Sequence, residues 1–364
     1  MEQGNTGKTD LKNLDQDALI RFAESLGQPG FRGKQIMSWL YRPEVKSFEQ
    51  MTDLAKVFRK VLAENSYFSH FENPIIERAS DGCVKFGFRL WDGHIIETVL
   101  IPEPDRNTLC ISSQVGCAMG CKFCLTASMG FIRNLTPAEI VNQVCAVRDF
   151  LLDEPEENLI GPNRVTNVVY MGMGEPLNNL PNVITSLSIM TEQKGLDLTG
   201  RRITVSTCGI VPKMKILGEQ STSNLAISLH AVDDETRDEL MPINHRYSID
   251  QLLEACRTYP MPKRRRIMFE YIMLAGINDS DKEAHILAKK LRDIPCKINL
   301  LPYNENPGLP YKSPSRNRIM AFQNILREAN YSVFIRSSRG DDISAACGQL
   351  ASGEKGKLKD KQDI

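Results

Sequence analysis

From residue 108 onward the chain alternates between two kinds of segment, and this alternation limits its fold more than any other feature. Short apolar runs with β-branched residues are each followed by a longer stretch whose apolar residues recur every three or four positions. The pairs are TLCISS with TPAEIVNQVCAVRDFLL, NVVYMG with LPNVITSLSIMTEQ, and RRITVST with VPKMKILGE. They continue as NLAISLH with SIDQLLEACRTY, RRIMFEYIML with DSDKEAHILAKKLRDI, and CKINLLPYN with SRNRIMAFQNILREAN; YSVFIRS ends the series. Thr136, Pro137 and Glu139 read as cap, first helical residue and capping-box partner of the first helix. Strand–helix alternation implies parallel strands with helices outside them. Six units are too few to close an eight-stranded ring. The predicted fold is therefore α/β, a partial six-unit β/α barrel. In such folds ligands gather at the carboxyl ends of the strands, so chemistry is sought in the loops that follow them.

The residues before 108 read differently. Residues 1–14 read as a disordered tail and 15–65 as a helical module, with Gly27 stopping the LDQDALIRFAESLG helix. Residues 66–107 read as a β-hairpin extension, CVKFGFRL and HIIETVLIP flanking the turn WDG. The barrel is assigned to 108–340, and 341–364 to a C-terminal segment with a basic tail. The 45 basic and 45 acidic residues cancel, so global charge selects no partner. No run of about 18 apolar residues is present, which argues against a membrane span. The polar N-terminus has no apolar core segment, so a cytoplasmic location is expected. The absence of heptads favours a monomer.

Ten cysteines require explanation. Cys83, Cys145, Cys256 and Cys296 lie in apolar periodic segments and read as core thiols. Cys208 follows a strand. In QVGCAMGCKFCLTASMGF, Cys117, Cys121 and Cys124 form a Cys-x-x-x-Cys-x-x-Cys run in the loop after the first strand. Three such thiolates suit zinc or an iron–sulfur cluster. Structural zinc requires four ligands, and no second Cys-x-x-Cys pair is present. Three thiolates on a [4Fe–4S] cluster leave one iron open to a ligand. The other strand-end loops carry Gly172-Met173-Gly174-Glu175-Pro176, Ser206-Thr207-Cys208-Gly209, Ser228-Leu229-His230 and Asn304. Taken singly, each fits an ordinary turn or a structural polar residue. Together they line one end of the expected barrel.

The cysteine run, with Phe123 between its second and third members, resembles the signature of radical S-adenosylmethionine enzymes. ISSQVGCAMGCKFC, VVYMGMGEPLNN, ITVSTCGIVP, LAISLHA, LMPIN and GDDISAACGQL resemble, over residues 20–350, the RNA methyltransferase family that makes 2-methyladenosine in large-subunit ribosomal RNA and in tRNA. The resemblance implies a [4Fe–4S] cluster on Cys117, Cys121 and Cys124. It implies S-adenosylmethionine, two molecules per turnover, held by Gly174, Glu175, Ser206, Ser228, Leu229, His230 and Asn304. It makes Cys347 the carrier of an S-methyl group, Cys110 its disulfide partner and Glu97 a proton acceptor. Without the resemblance, these three read as a structural thiol, an inward strand residue and a solvated strand residue.

The implied chemistry explains the two thiols. The adenine carbon between two ring nitrogens is not nucleophilic, whereas a Cys347 thiolate can take a methyl group from a sulfonium. The implied partners are 23S rRNA, tRNA and an electron donor such as flavodoxin. Two alternatives stay open: a carbon 8 adenosine methyltransferase of the antibiotic-resistance type, and a zinc-stabilised RNA-binding protein without catalysis. Pro176 and Gly340-Asp341-Asp342 favour carbon 2. Arg336 and Arg339 are candidate phosphate contacts, whereas Lys263–Arg266, which precedes a strand, belongs at the opposite barrel end. Phe31, Arg32, Lys34 and Gln35 resemble part of the family's RNA-binding accessory module.

Overall fold

Order begins earlier in the chain than residue 15. The computed structural model describes residues 7–350 except Pro307. Within it Thr9–Asp10 (β1) lies parallel to Ser66–Tyr67 (β2). Leu11 is fully buried, and the Lys12 ammonium donates to Asn142 Oδ1 at 2.8 Å. One deeply buried leucine and one satisfied ammonium thus anchor a segment whose composition reads as a tail. Helices α1 (Gln16–Ser25), α2 (Phe31–Leu40) and α3 (Lys56–Asn65) follow. Asp15 caps α1 through the Ala18 amide. Gly33 allows α2 to lie against α1, since a Cβ there would stand 2.5 Å from the Ile20 backbone.

The expected hairpin is not a separate extension. β3 (Ile75–Arg78), β4 (Val84–Arg89), β5 (Ile95–Glu103) and β6 (Arg106–Cys110) form an antiparallel meander. β6 then pairs in parallel with β9 (Asn167–Tyr170), so meander and barrel form one sheet. Between them in sequence, β7 (Gln114–Gly116) and β8 (Phe131–Asn134) form a small antiparallel ribbon that brackets the cysteine loop. Parallel pairing continues through β10 (Ile203–Thr207), β11 (Asn224–Ser228), β12 (Ile267–Met273), β13 (Cys296–Pro302) and β14 (Val333–Ile335). The ten strands run in the order β3-β4-β5-β6-β9-β10-β11-β12-β13-β14.

Crossover helices connect the parallel strands. They are α5 (Pro137–Asp153), which follows the one-turn α4 (Leu125–Ser128), then α6 (Leu180–Thr191) and α7 (Val211–Gln220). The series continues with the short α8 (Asp234–Leu240), α9 (Ile249–Arg257), α10 (Asp281–Lys290) and α11 (Arg316–Glu328). The Thr136–Glu139 capping box is formed at α5. β12 is almost wholly buried, as a strand covered on both faces must be.

After β14 the chain turns back over the sheet. The Gly340 amide donates to Asp81 Oδ2 at 3.0 Å, and the Leu125 amide donates to the Gly348 carbonyl at 2.8 Å. Residues 340–350 thereby cover both the β3–β4 turn and the cysteine loop.

Candidate active site

The cysteine loop takes its shape from the ribbon beneath it. Gly116 has φ +72°, and a Cβ there would meet the Gly130 carbonyl at 1.9 Å, so only glycine fits. The Cys117 amide donates to that same carbonyl at 2.9 Å, and Cys124 stands at the N-terminus of α4. Phe123 meets the His230 ring edge-on, with centroids 5.0 Å apart.

Cys117, Cys121 and Cys124 line one cavity of about 170 Å³ with Gly174, Glu175, Ser206, Ser228 and His230. Burial pushes the Cys117 thiol up to about 12 and also raises Cys121 and Cys124. The Cys121 pKa is raised further by the other two thiols. Three thiolates in one buried loop repel one another, and a multivalent cationic centre removes that repulsion. Among the described residues, no three His, Cys, Asp or Glu side chains converge closely enough to chelate a single ion. A four-iron cube offers a separate iron to each thiolate and spaces its ligands more widely than mononuclear zinc does. The residues fit a cluster.

The loop after β9 is built by close approach. Gly174 has φ +94°, and a Cβ there would stand 2.4 Å from Gln114 Cβ. Both carboxylate oxygens of Glu175 accept backbone amides, from Leu177 at 2.9 Å and Cys208 at 2.8 Å. Burial still holds its pKa above the usual range. Burial, with Arg237 nearby, lowers the His230 pKa to about 3, and its Nδ1 accepts the Ile272 amide at 3.0 Å. His230 has φ +62°, a left-handed conformation that the bonds of its neighbours maintain. The Leu229 side chain is buried and does not line the cavity; its carbonyl accepts Arg237 Nε at 3.0 Å.

A second cavity of about 330 Å³ adjoins the first and contains Cys110 and Asn304. Cys347 and Arg336 line both cavities. Cys347 is solvent-accessible through these cavities, yet the surrounding protein raises its thiol pKa, while Arg336 pulls it down. Burial pushes Cys110 up to about 12, Cys347 adds to the rise, and Arg336 again opposes it. Asn304 lines the second cavity and not the first, and donates to the Cys347 carbonyl at 3.4 Å.

Glu97 lines neither cavity. It lies on the β5 face that carries Ile101 and Glu103, which line the second cavity, and it pairs with Lys85 at 3.5 Å. Arg339 also lines the second cavity; its Nε pairs with Asp81 at 2.9 Å and its Nη2 donates to the Asp81 and Pro102 carbonyls. Arg336 sits in the cavity wall. Burial alone would lower its pKa, but Cys347, Glu270 and Cys110 outweigh that and hold it up.

Two residues escaped the sequence reading. Arg237, which is 1% exposed, donates to the carbonyls of Cys208, Ser228 and Leu229 and so ties together two strand-end loops. Glu270 lines the first cavity; Asn299 donates to its Oε1, and its Oε2 is buried without a hydrogen-bond partner. A lone acid within the apolar strand MFEYIM was the available signal.

The chain matches the radical SAM superfamily over residues 111–288 and the ribosomal RNA large subunit methyltransferase N-terminal domain over residues 9–68. Together with the partial barrel and its cysteine loop, these matches define a radical S-adenosylmethionine enzyme, of a class that works with a [4Fe–4S] cluster. The dual-specificity RNA methyltransferase RlmN of Desulfotalea psychrophila is 79% identical over 350 residues, covering 96% of this chain and 97% of the relative. That of Geobacter sulfurreducens is 52% identical, covering 96% and 92%. A solved radical SAM methyltransferase from Sphaerobacter thermophilus superposes with a TM-score of 0.85 at 42% identity, covering 94% and 99%. The chain belongs to the RlmN family of dual-specificity RNA methyltransferases.

Proposed function

We propose that this enzyme methylates carbon 2 of an adenosine in 23S rRNA and in tRNA, with Cys347 carrying the methyl group. The observation that carries the reading is the position of Cys347 at the junction of two cavities, one with the three clustered cysteines and the other with Cys110. Cys117, Cys121 and Cys124 would hold the [4Fe–4S] cluster. Gly174, Glu175, Ser206, Ser228 and His230, with the backbone of Leu229, would hold S-adenosylmethionine, and Asn304 would approach it from the Cys347 side. Bound there, cluster and cofactor supply a hydrogen-abstracting radical.

The chain's own residues do the rest. Cys347, as thiolate, accepts a methyl group, and Arg336 favours that thiolate. Cys110 takes Cys347 into a disulfide as methylated RNA leaves. Glu97 accepts the ring proton. The walls of the second cavity exclude water from an adenosine flipped out of its stack. A reduced flavodoxin-type donor would deliver the electron.

The test is anaerobic. Reconstituted enzyme, methyl-labelled S-adenosylmethionine, a reductant and protein-free RNA are combined, and the nucleosides are resolved by mass spectrometry. Labelled 2-methyladenosine is expected in both RNAs. An 8-methyladenosine product would overturn the position of attack. Bound zinc with no cofactor cleavage would overturn the enzyme reading.

A further inference from the structure

Three contacts meet at one buried ammonium outside the cavities. Lys85, on β4 and 7% exposed, donates to the Ile343 carbonyl at 2.7 Å. It also lies 3.0 Å from Glu77 on β3 and 3.5 Å from Glu97 on β5. A buried ammonium needs a nearby carboxylate and hydrogen-bond acceptors. Glu77 meets the first need by itself. The remaining two contacts link distinct parts of the proposed machinery: Ile343 is four residues before Cys347, and Glu97 is the proposed proton acceptor. Lys85 stands directly opposite Val99, so it reaches Glu97 as a diagonal cross-strand neighbour on the same face.

The surrounding contacts strengthen this link. The β3–β4 turn clasps the Cys347 segment at separate points. The Ser80 amide donates to Asp342 Oδ2 at 2.8 Å, the Gly340 amide to Asp81 Oδ2 at 3.0 Å, and Arg339 pairs with Asp81 at 2.9 Å. These seat the segment from the turn. Lys85, further along β4, contacts both the segment and Glu97.

We propose that Lys85 is a positioning residue that couples the seating of the Cys347 segment to the placement of the Glu97 carboxylate. This rests on the functional reading above. The step it serves is one proton transfer: the hydrogen–carbon 2 bond of the adenine adduct breaks, its electron pair stays with the ring, and the proton bonds to a Glu97 oxygen. The Lys85 ammonium, held by the Ile343 carbonyl at 2.7 Å and lying 3.5 Å from Glu97, fixes the position of that carboxylate.

The experiment has two stages on holoenzyme: Cys347 is first loaded with a labelled methyl group and the loading rate is followed, and the loaded enzyme is then given RNA for a single turnover. It reads Cys347 methylation in the first stage, and covalent enzyme–RNA adduct and released methylated RNA in the second. In Asp81→Asn the segment is less firmly seated, so Cys347 methylation slows while the fraction of methyl groups released in RNA stays as in the wild type. In Lys85→Met that fraction falls by about 10- to 100-fold, the scale of a misplaced catalytic group, and adduct accumulates. Lys85→Arg restores release. Lys85→Gln, which keeps a donor for Ile343 but no charge, makes the same comparison if Lys85→Met does not fold. The proposal is overturned if the Lys85 variants match Asp81→Asn in released fraction, or if Lys85→Arg is no better than Lys85→Met. If the wild type itself releases no methylated RNA, the functional reading fails, and that outcome is distinct from failure of the Lys85 coupling.

Discussion

Replacing Arg237 with methionine tests whether a buried guanidinium holds the strand ends of the site together. Arg237 donates to the Cys208 carbonyl at 2.8 Å, Leu229 at 3.0 Å, Ser228 at 3.1 Å and Asn244 Oδ1 at 2.9 Å. Methionine has similar length and fills the space, so packing changes little, but the Cys208 and Ser228 carbonyls and Asn244 Oδ1 lose the guanidinium donor, while the Leu229 carbonyl keeps the Ala231 amide at 2.9 Å. An unsatisfied buried acceptor costs about 1–3 kcal/mol. The low end applies to each of the three, and Arg237→Met should cost about 3 kcal/mol. At roughly 2 °C per kcal/mol for a chain of this size, Tm falls by about 6 °C. Arg237→Lys, with fewer donors and no planar fork, should cost about half as much. Urea unfolding followed by circular dichroism gives the free energy, and thermal scanning gives Tm. A loss below about 1 kcal/mol for Arg237→Met would refute the reasoning, because the carbonyls would then be satisfied without the guanidinium.

Alanine at Cys117, Cys121 or Cys124 should abolish iron retention after reconstitution, whereas Cys347→Ala should retain iron and lose RNA methylation; iron content and the product assay check both. Gly174→Ala puts a Cβ 2.4 Å from Gln114 at φ +94° and should weaken S-adenosylmethionine binding by about 1–3 kcal/mol, measured by calorimetry. His230, at about 3 in the folded protein, stays neutral where an unfolded histidine is charged. The unfolded chain then binds the extra proton, so this contribution to stability is complete above pH 6.5 and is lost as pH falls towards 3. Within that window the slope approaches about 1.4 kcal/mol per pH unit. A denaturation series from pH 7.5 to 4 on wild type and His230→Asn should show the difference, and parallel curves would refute it.

The parallel sheet was legible because its apolar periods are long and regular. β3 was not: Ile75–Arg78 alternates half-buried and exposed residues, and only pairing with β4 makes it a strand. Leu11 reads as an isolated apolar residue in a polar stretch, and the surface that buries it comes from elsewhere in the chain. Cys117, Cys121 and Cys124 were legible because their spacing is local. The proximity of Cys110 to Cys347 was accessible only through resemblance, since nothing local relates residues so far apart. The pairing of Arg339 was hidden for the same reason: its partner Asp81 lies 258 residues away.

The cover over the cysteine loop bears on how the enzyme is made. The Thr126 hydroxyl donates to the Leu350 carbonyl at 2.6 Å across 224 residues of chain. At elongation rates of about 5–20 residues per second, that gap corresponds to roughly ten to forty-five seconds of synthesis. For that interval the nascent chain has its thiols but not the strap that closes over them. The strap contacts on the cysteine loop, from the Thr126 hydroxyl to Leu350 and from the Leu125 amide to Gly348, are therefore among the last contacts of the domain that synthesis makes possible.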